Sequence, residues 1–437
     1  MPATNDLIAA IATPPGIGGI GIIRISGGGM QSFAAALLKS QLPPPRMASR
    51  ARFVDDGGGL IDDGLVLYFP APFSFTGEDV LELHGHGGAA ACGLLLARCL
   101  QLGARMAEAG EFSLRAYLNG KMDLSQAEAL CDLINANSAA SARAAAASMT
   151  GALSEKTNAI AKKMTRLRAQ MEAQMDFADD DTGAPAKPDD ALDEIAAMLD
   201  DLLHNAKRGA KMRDGLCAVI TGKPNVGKSS LLNCLTGENA AIVAAKPGTT
   251  RDIIRRDIHL DGMTLCLADT AGLRDSADVV EAEGIARAKA EMQNADIIIA
   301  VSDAQNPPPK TTTSASAATS TIIVVNKTDI SGERPGKKGG IIYVSAKTGE
   351  GINTLREELQ KIGGMTNWQP PFSARTRHLQ ALTESRKHLA DAKNNRAHLE
   401  LCCASLSLAQ QAAATISGST DDEDILAEIF STFCIGK

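Results

Sequence analysis

Gly222-Lys223-Pro224-Asn225-Val226-Gly227-Lys228-Ser229 decides how its surroundings fold. The octapeptide matches G-x-x-x-x-G-K-[ST]. A short apolar run at 217–221 precedes it and a helical run at 230–235 follows. Strand, glycine loop and helix in that order form the context in which this pattern cradles phosphate. The glycines let backbone N–H groups approach phosphate oxygens, and the helix N-terminus adds its positive dipole end. Lys228 is placed to reach the β- and γ-phosphates, and Ser229 to ligate Mg²⁺. Asn225, Val226, Gly227 and Ser230 are the segment's other candidate nucleotide contacts.

Further along, apolar runs at 265–268, 297–302, 322–326 and 341–345 alternate with helical patterns. That rhythm predicts a mostly parallel sheet in an α/β domain. Three of these runs end in polar motifs. In Asp269-Thr270-Ala271-Gly272 the carboxylate is suited to hold Mg²⁺ through water, and the Gly272 N–H to meet the γ-phosphate. In Asn326-Lys327-Thr328-Asp329 the Asp329 carboxylate accepts from guanine N1–H and the 2-amino group. Adenine would leave that carboxylate unpaired, which is how a polar site rejects an analogue. Ser345-Ala346-Lys347 offers a backbone N–H to guanine O6. Thr249-Thr250-Arg251-Asp252 falls where a switch loop belongs, with Thr250 completing the Mg²⁺ shell. An NKxD tetrapeptide alone is equally a strand-end turn. Four motifs in this order identify a GTP-binding and GTP-hydrolysing module at 212–364.

The 437 residues suggest about three domains at ~150 residues each. Hydrophobic residues make up 44% and charged residues 22%, as in soluble globular proteins. Aromatic residues make up only 3%, so the cores must rest on aliphatic side chains. A net charge of -7 excludes a broadly basic nucleic-acid surface. Local basic groups remain at Lys162, Lys163, Arg166 and Arg168, and at Arg375, Arg377, Arg386 and Lys387. They read first as solvated helix faces. The nine Cys form no CxxC pair, which points to reduced, buried thiols in the cytoplasm. The start MPATNDLIAA lacks a signal-peptide pattern, and no apolar run reaches ~18 residues, so no membrane partner is expected.

Residues 1–119 read as α+β, with strands at 19–25, 65–69 and 80–83, a loop at His84-Gly85-His86-Gly87-Gly88 and a helix at 89–102. The two histidines lack a third ligand at useful spacing and read as loop residues. Ala-rich residues 124–176 have high helix propensity. Residues 190–210 form an amphipathic pattern with acids early and bases late. Residues 375–417 are again helical, and 307–320 form a low-complexity loop. The expected organisation is therefore an α/β P-loop domain (212–364) inserted into a helical domain (120–211 and 365–437), preceded by an α+β domain (1–119).

The runs ATPPGIGGIGIIRISG, SFTGEDVLELHGHGG, GEFSLRAYLNGKMDLSQAEAL and the terminal FCIGK resemble the MnmE (TrmE) family of bacterial tRNA-modification GTPases, over nearly the whole chain. The resemblance implies an N-terminal domain that binds a tetrahydrofolate derivative (5-formyl- or methylene-tetrahydrofolate) and forms a homodimer. It implies a GTPase domain that dimerises across its nucleotide faces when K⁺ is bound. It also implies work with the FAD-dependent MnmG, in a heterotetramer or larger complex, on carbon 5 of the tRNA wobble uridine. There the family installs an aminomethyl or carboxymethylaminomethyl group.

Carried over residue by residue, Asn225, Thr249 and the carbonyls of Ala244 and Lys246 would hold K⁺. A cation there acts as an arginine finger does; Arg251 and Arg274 are the alternatives for that role. Glu281 would orient the attacking water, although on the residues alone it is an exposed helix-cap acid. Arg24, Glu82, Lys121 and Lys437 would contact folate. Cys434 is either a functional cysteine or a structural thiol; Lys437 is a poor final residue for a prenylation box. Two departures stand out. Lys246-Pro247 sits where the family has a small or apolar residue, and Ile17 where a basic residue is common. The competing reading is a ribosome-assembly or translation GTPase that binds RNA without modifying it. That class usually carries an RNA-binding domain after the GTPase module, whereas here only helices and FCIGK follow.

Overall fold

The computed structural model describes residues 6–176, 188–236, 255–260, 263–269, 295–303, 320–362, 371–418 and 423–436. Contacts divide the chain into two units. One comprises Met1–Cys131, Ser154–Lys162 and Gln410–Lys437, and the other Asp132–Leu153 and Lys163–Ala409.

The first unit is built on a six-stranded sheet of β1 (Ile8–Ile11), β2 (Gly18–Ser26), β3 (Ser49–Val54), β4 (Leu60–Phe69), β5 (Val80–Gly87) and β6 (Arg105–Met106). The strand order is β3-β4-β5-β2-β1-β6, antiparallel except for the β1–β6 pair. Strand alternation sends Ile23, Ile25, Leu81, Leu83 and Val66 to one face. They are buried there with Phe33 and Leu37 of helix Met30–Leu38 and Leu95 and Cys99 of helix Ala89–Gln101. Arg24 and Glu82 take the alternate positions and stay half-buried, and Ile20 is exposed.

One sequence expectation is corrected here. His84 to Gly87 is strand, not loop, because β5 pairs through it on both sides, His84 with Leu65 and Ile22, and Gly87 with Gly18. Glycine is needed at 87 because a Cβ there would lie 2.6 Å from the carbonyl oxygens of Gly18 and Ile20.

The chain's end returns to this unit. Helix Glu423–Ser431 and the residues after it bury Leu426, Ile429, Phe430 and Phe433 against Leu124, Ala127 and Cys131. Ile435 then bridges to Ala109.

The second unit contains a seven-stranded sheet of β7 (Leu216–Thr221), β8 (Arg255–Leu260), β9 (Met263–Asp269), β10 (Ile297–Asp303), β11 (Ser320–Asn326), β12 (Gly336–Lys338) and β13 (Ile341–Tyr343). The order is β12-β13-β11-β10-β7-β9-β8; the outer strands β12 and β8 pair antiparallel and the rest are parallel. Its near-continuous Val/Ile/Leu runs are buried together with Leu231, Leu235, Leu355 and Leu359 of the helices Lys228–Thr236 and Ile352–Ile362. Strand order reverses direction at β7, which has β9 on one side and β10 on the other. Such a switch point opens a crevice at the carboxyl ends of the strands.

Helices flank this sheet in sequence. The Ala-rich stretch 124–176 is three helices, Leu124–Ile134, Ala139–Met149 and Ala152–Asp176. Propensity is high throughout, but Ser138 caps the second helix in a capping box with Ser141, and Gly151 breaks the chain before the third. Pro188–Asp214 leads into β7, and Thr376–Asn394 and Leu399–Ala414 follow the sheet. The two flanks of the α/β segment meet at one carboxylate. Asp132 Oδ1 accepts from Arg213 Nε at 3.1 Å and from Arg375 Nη2 at 2.7 Å. Among the described residues no helix is long and apolar enough to cross a membrane.

Candidate nucleotide site and a second polar site

The described parts of the predicted motifs lie at the carboxyl ends of β7, β9 and β11 and just beyond β13. Gly222 leaves β7 with φ 151°, and a Cβ there would lie 2.2 Å from the Val301 carbonyl oxygen of β10. Gly227 has φ 90°, and its Cβ would lie 2.3 Å from Asn326 Nδ2. Both glycines are thus required by the protein's own packing, besides leaving room for phosphate. Asn225, between them, adopts φ 61°, a left-handed conformation that Asn tolerates. Val226 is fully buried, so it offers the loop only its backbone. Lys228 Nζ donates to the carbonyls of Gly222 (3.0 Å) and Lys223 (2.9 Å), folding the ammonium over the loop. Ser229 and Ser230 lie in the first turn of the helix that begins at Lys228, and both are exposed.

Asn326 ties three motifs together. Its Nδ2 donates to the Val226 carbonyl at 2.9 Å, and its Oδ1 accepts from the Ala346 N–H at 2.9 Å. It is 2% exposed, so both bonds form away from water, where losing one leaves a costly unpaired group. Asp329 Oδ1 accepts from Ser345 Oγ at 2.7 Å, which fixes the carboxylate. The Ser345 N–H is spent on the Glu350 carbonyl. Ser345 therefore acts through its hydroxyl on Asp329, and its N–H does not serve guanine O6. Asp269 ends β9 opposite Ile220 of β7, beside the glycine loop. Asp303, at the end of β10, belongs to no predicted motif, yet its carboxylate receives Lys327 Nζ at 2.7 Å. Thr249, Thr250, Ala244, Lys246, Thr270, Ala271, Gly272 and Glu281 lie outside the described residues, as does Lys437.

A second polar site lies in the first unit. Arg24 and Glu82 are direct cross-strand partners on β2 and β5. Arg24 Nε and Nη2 reach Glu82 Oε1 at 3.0 and 2.9 Å. His84 Nε2 lies 3.2 Å from the other Glu82 oxygen. The guanidinium packs over the rings of Phe75 and Phe112, at 5.5 and 5.9 Å. Its Nη1 is 3.5 Å from the Gly436 carbonyl, so the returning tail borders this site. Cys434 is exposed on that tail. Lys121 Nζ donates to the Pro72 carbonyl at 2.9 Å.

Comparison with known proteins identifies the chain. A family model for the MnmE helical domain matches residues 124–434, and one for the GTP-binding protein TrmE N-terminus matches residues 7–121. Three similar full-length relatives are described as tRNA modification GTPase MnmE. The one from Nitrosomonas eutropha is 46% identical, covering 99% of each chain. That of Azoarcus sp. is 47% identical, covering 100% of this chain and 99% of the relative. That of Alkalilimnicola ehrlichii is 48% identical, covering 98% and 99%.

The chain belongs to the MnmE family.

In this MnmE-family chain five of the eight residues named in the two basic helix clusters form ion pairs. Lys163 pairs with Glu194, Arg168 with Glu172, Arg375 with Asp132, Arg386 with Asp200 and Lys387 with Glu384. Five of the eight described cysteines are buried; Cys217 and Cys234 are half-buried and Cys434 is exposed. His86 pairs with Asp62, and His84 with Glu82. The contacts that sequence reasoning missed are the side-chain ties behind the motifs: Asn326 to the glycine loop, Ser345 to Asp329, and Asp303 to Lys327.

Proposed function

We propose that the chain is a potassium-stimulated GTPase. With the FAD protein MnmG it takes part in forming the 5-aminomethyl or 5-carboxymethylaminomethyl group on the tRNA wobble uridine. GTP hydrolysis itself follows from its family. The observation that carries the reading is the network joining Val226, Asn326 and Ala346 beside Asp329. It ties the glycine loop to the strand end that carries Asp329, which supports reading the two as a phosphate cradle and a guanine-reading carboxylate of one site.

Lys228, whose ammonium lies at the loop, is suited to the β- and γ-phosphates. Ser229 and Thr250, hard oxygen donors, suit Mg²⁺, with Asp269 acting through water. Bound there, the ion neutralises charge on the transferring phosphoryl group. Asn225, exposed at the loop's apex, is suited to contribute an oxygen to K⁺, with Thr249 and the carbonyls of Ala244 and Lys246. Glu281 is assigned the attacking water. On the second site, Glu82 fits pterin N–H donors, and Arg24, Lys121 and Lys437 fit the carboxylates of a tetrahydrofolate derivative. Homodimerisation is supported by exposed Ile20 and Leu65 on the sheet.

Hydrolysis measured in KCl and NaCl, with wild type and Asn225→Ala, tests the potassium assignment. Faster turnover in KCl that the substitution abolishes is expected; equal rates in both salts refute it. Mass spectrometry of tRNA from a deletion strain tests the substrate. Unmodified wobble uridines are expected, and unchanged ones favour a ribosome-assembly switch.

A further inference from the structure

Asp303 ends β10 in register with Asn326 of β11. It is 4% exposed, and its Oδ2 lies 2.7 Å from Lys327 Nζ. Lys327 itself adopts φ 67°. A residue with a Cβ is strained in that region, so the conformation is imposed by its surroundings. Lys327 stands between two groups already held in place, Asn326 on the loop and Asp329 on Ser345. Its tip is fastened at the end of β10, the strand whose Val301 backs Gly222. A nucleotide with phosphates in the loop and its base at Asp329 therefore passes along the lysine's methylenes.

We propose that Asp303 is a positioning residue for the nucleotide. It pins the Lys327 ammonium so that the alkyl chain forms a fixed wall of the guanine slot. A free lysine side chain samples many rotamers, and ordering it opposes binding. The ion pair orders that chain during folding, so binding need not. The wall touches the face of the base, not its edge, so its effect does not depend on the exocyclic groups. It also acts equally on the ground and transition states, so it shifts KM and leaves kcat at saturation unchanged.

This inference rests on the GTP-binding reading, and the test separates the two. Full-length wild type, Asp303→Asn, Lys327→Met and the double variant are titrated with fluorescent GDP and assayed with GTP and ITP. The expected result for Asp303→Asn is a five- to tenfold rise in Kd and KM, the same for GTP and ITP, with kcat retained. In the Lys327→Met background the same substitution adds less than twofold, since there is no ammonium to pin. Unchanged affinity, with or without a lower melting temperature, overturns the proposal. So does a fall in kcat at unchanged KM, or an equal loss in both backgrounds. Wild type that takes up no guanine nucleotide overturns the underlying reading and this proposal with it.

Discussion

The nucleotide site and the Arg24–Glu82 site both draw their polar groups from strands of a sheet, but they are built in opposite ways. In the nucleotide site those groups leave the carboxyl ends of parallel strands, where backbone N–H groups and turns are available. Side-chain ties then lock each motif to the next: Asn326 to Val226 and Ala346, Ser345 to Asp329. In the other site the charges sit mid-strand on an antiparallel pair, and the wall is supplied by a tail 412 residues away in sequence. The first site is assembled from local motifs. The second exists only once distant segments meet.

The largest effect should come from Asp329→Asn. Two charge-assisted hydrogen bonds of about 1.5–3 kcal/mol each disappear, or roughly 10²–10⁴-fold in GTP affinity. Isothermal titration with GTP and XTP checks this; an unaltered preference for GTP would remove Asp329 as the base reader. Asn326→Ala should follow. It leaves the Val226 carbonyl and the Ala346 N–H without partners, at about 1–3 kcal/mol for each buried group. Nucleotide affinity and melting temperature should fall together, and weaker affinity at an unchanged melting temperature would reduce Asn326 to a plain base contact.

Arg24→Ala should weaken binding of 5-formyl-tetrahydrofolate by about 10–100-fold, as expected when one charge-assisted hydrogen bond to a ligand carboxylate is removed. GTP affinity in the same variant is the control. A matching drop there would break the contrast between two separately built sites.

Smaller still is the effect expected at Glu111, in the first unit. Burial alone would raise its pKa. Hydrogen bonds from Arg105, the Glu108 N–H and Arg115 outweigh burial and hold the carboxyl below the usual range. Its stabilisation is therefore complete above the unfolded carboxyl's pKa and is lost as pH falls through the lowered folded value. Glu111→Gln should lower stability at neutral pH by about 1–2 kcal/mol, because Arg105 is partly solvent-screened. It should also shrink the fall in melting temperature below pH 4.5, the ordinary value for this group. Identical acid limbs for both proteins would exclude the group from acid unfolding.

Much of the nucleotide site was legible in the chain. Gly222 to Ser229 follows a strand and opens a helix as the motif requires, and Asp269 and Asn326 each end a strand. Such signals are short-range, since glycine spacing and apolar runs act within a few residues. Asp303 was not legible, because an acid at a strand end has many uses and its partner lies just beyond a different strand. The β5 extension through His84-Gly85-His86-Gly87 was also hidden. Glycine disfavours strand locally, and only pairing with β4 and β2 overrides that preference.

The sequence by itself determined that a glycine-loop pattern ending in Lys228-Ser229, a strand-end Asp269 and the Asn326-to-Asp329 tetrapeptide occur in order along one α/β segment. Only the tertiary structure decided what holds them in place. Asn326 bridges residues 226 and 346, Asp303 meets Lys327 across neighbouring strands, and Gly436 comes to border Arg24. The physical reason is range. Motifs are written in bonds a few residues apart, whereas the contacts that fix them form between segments brought together by burial of a shared core.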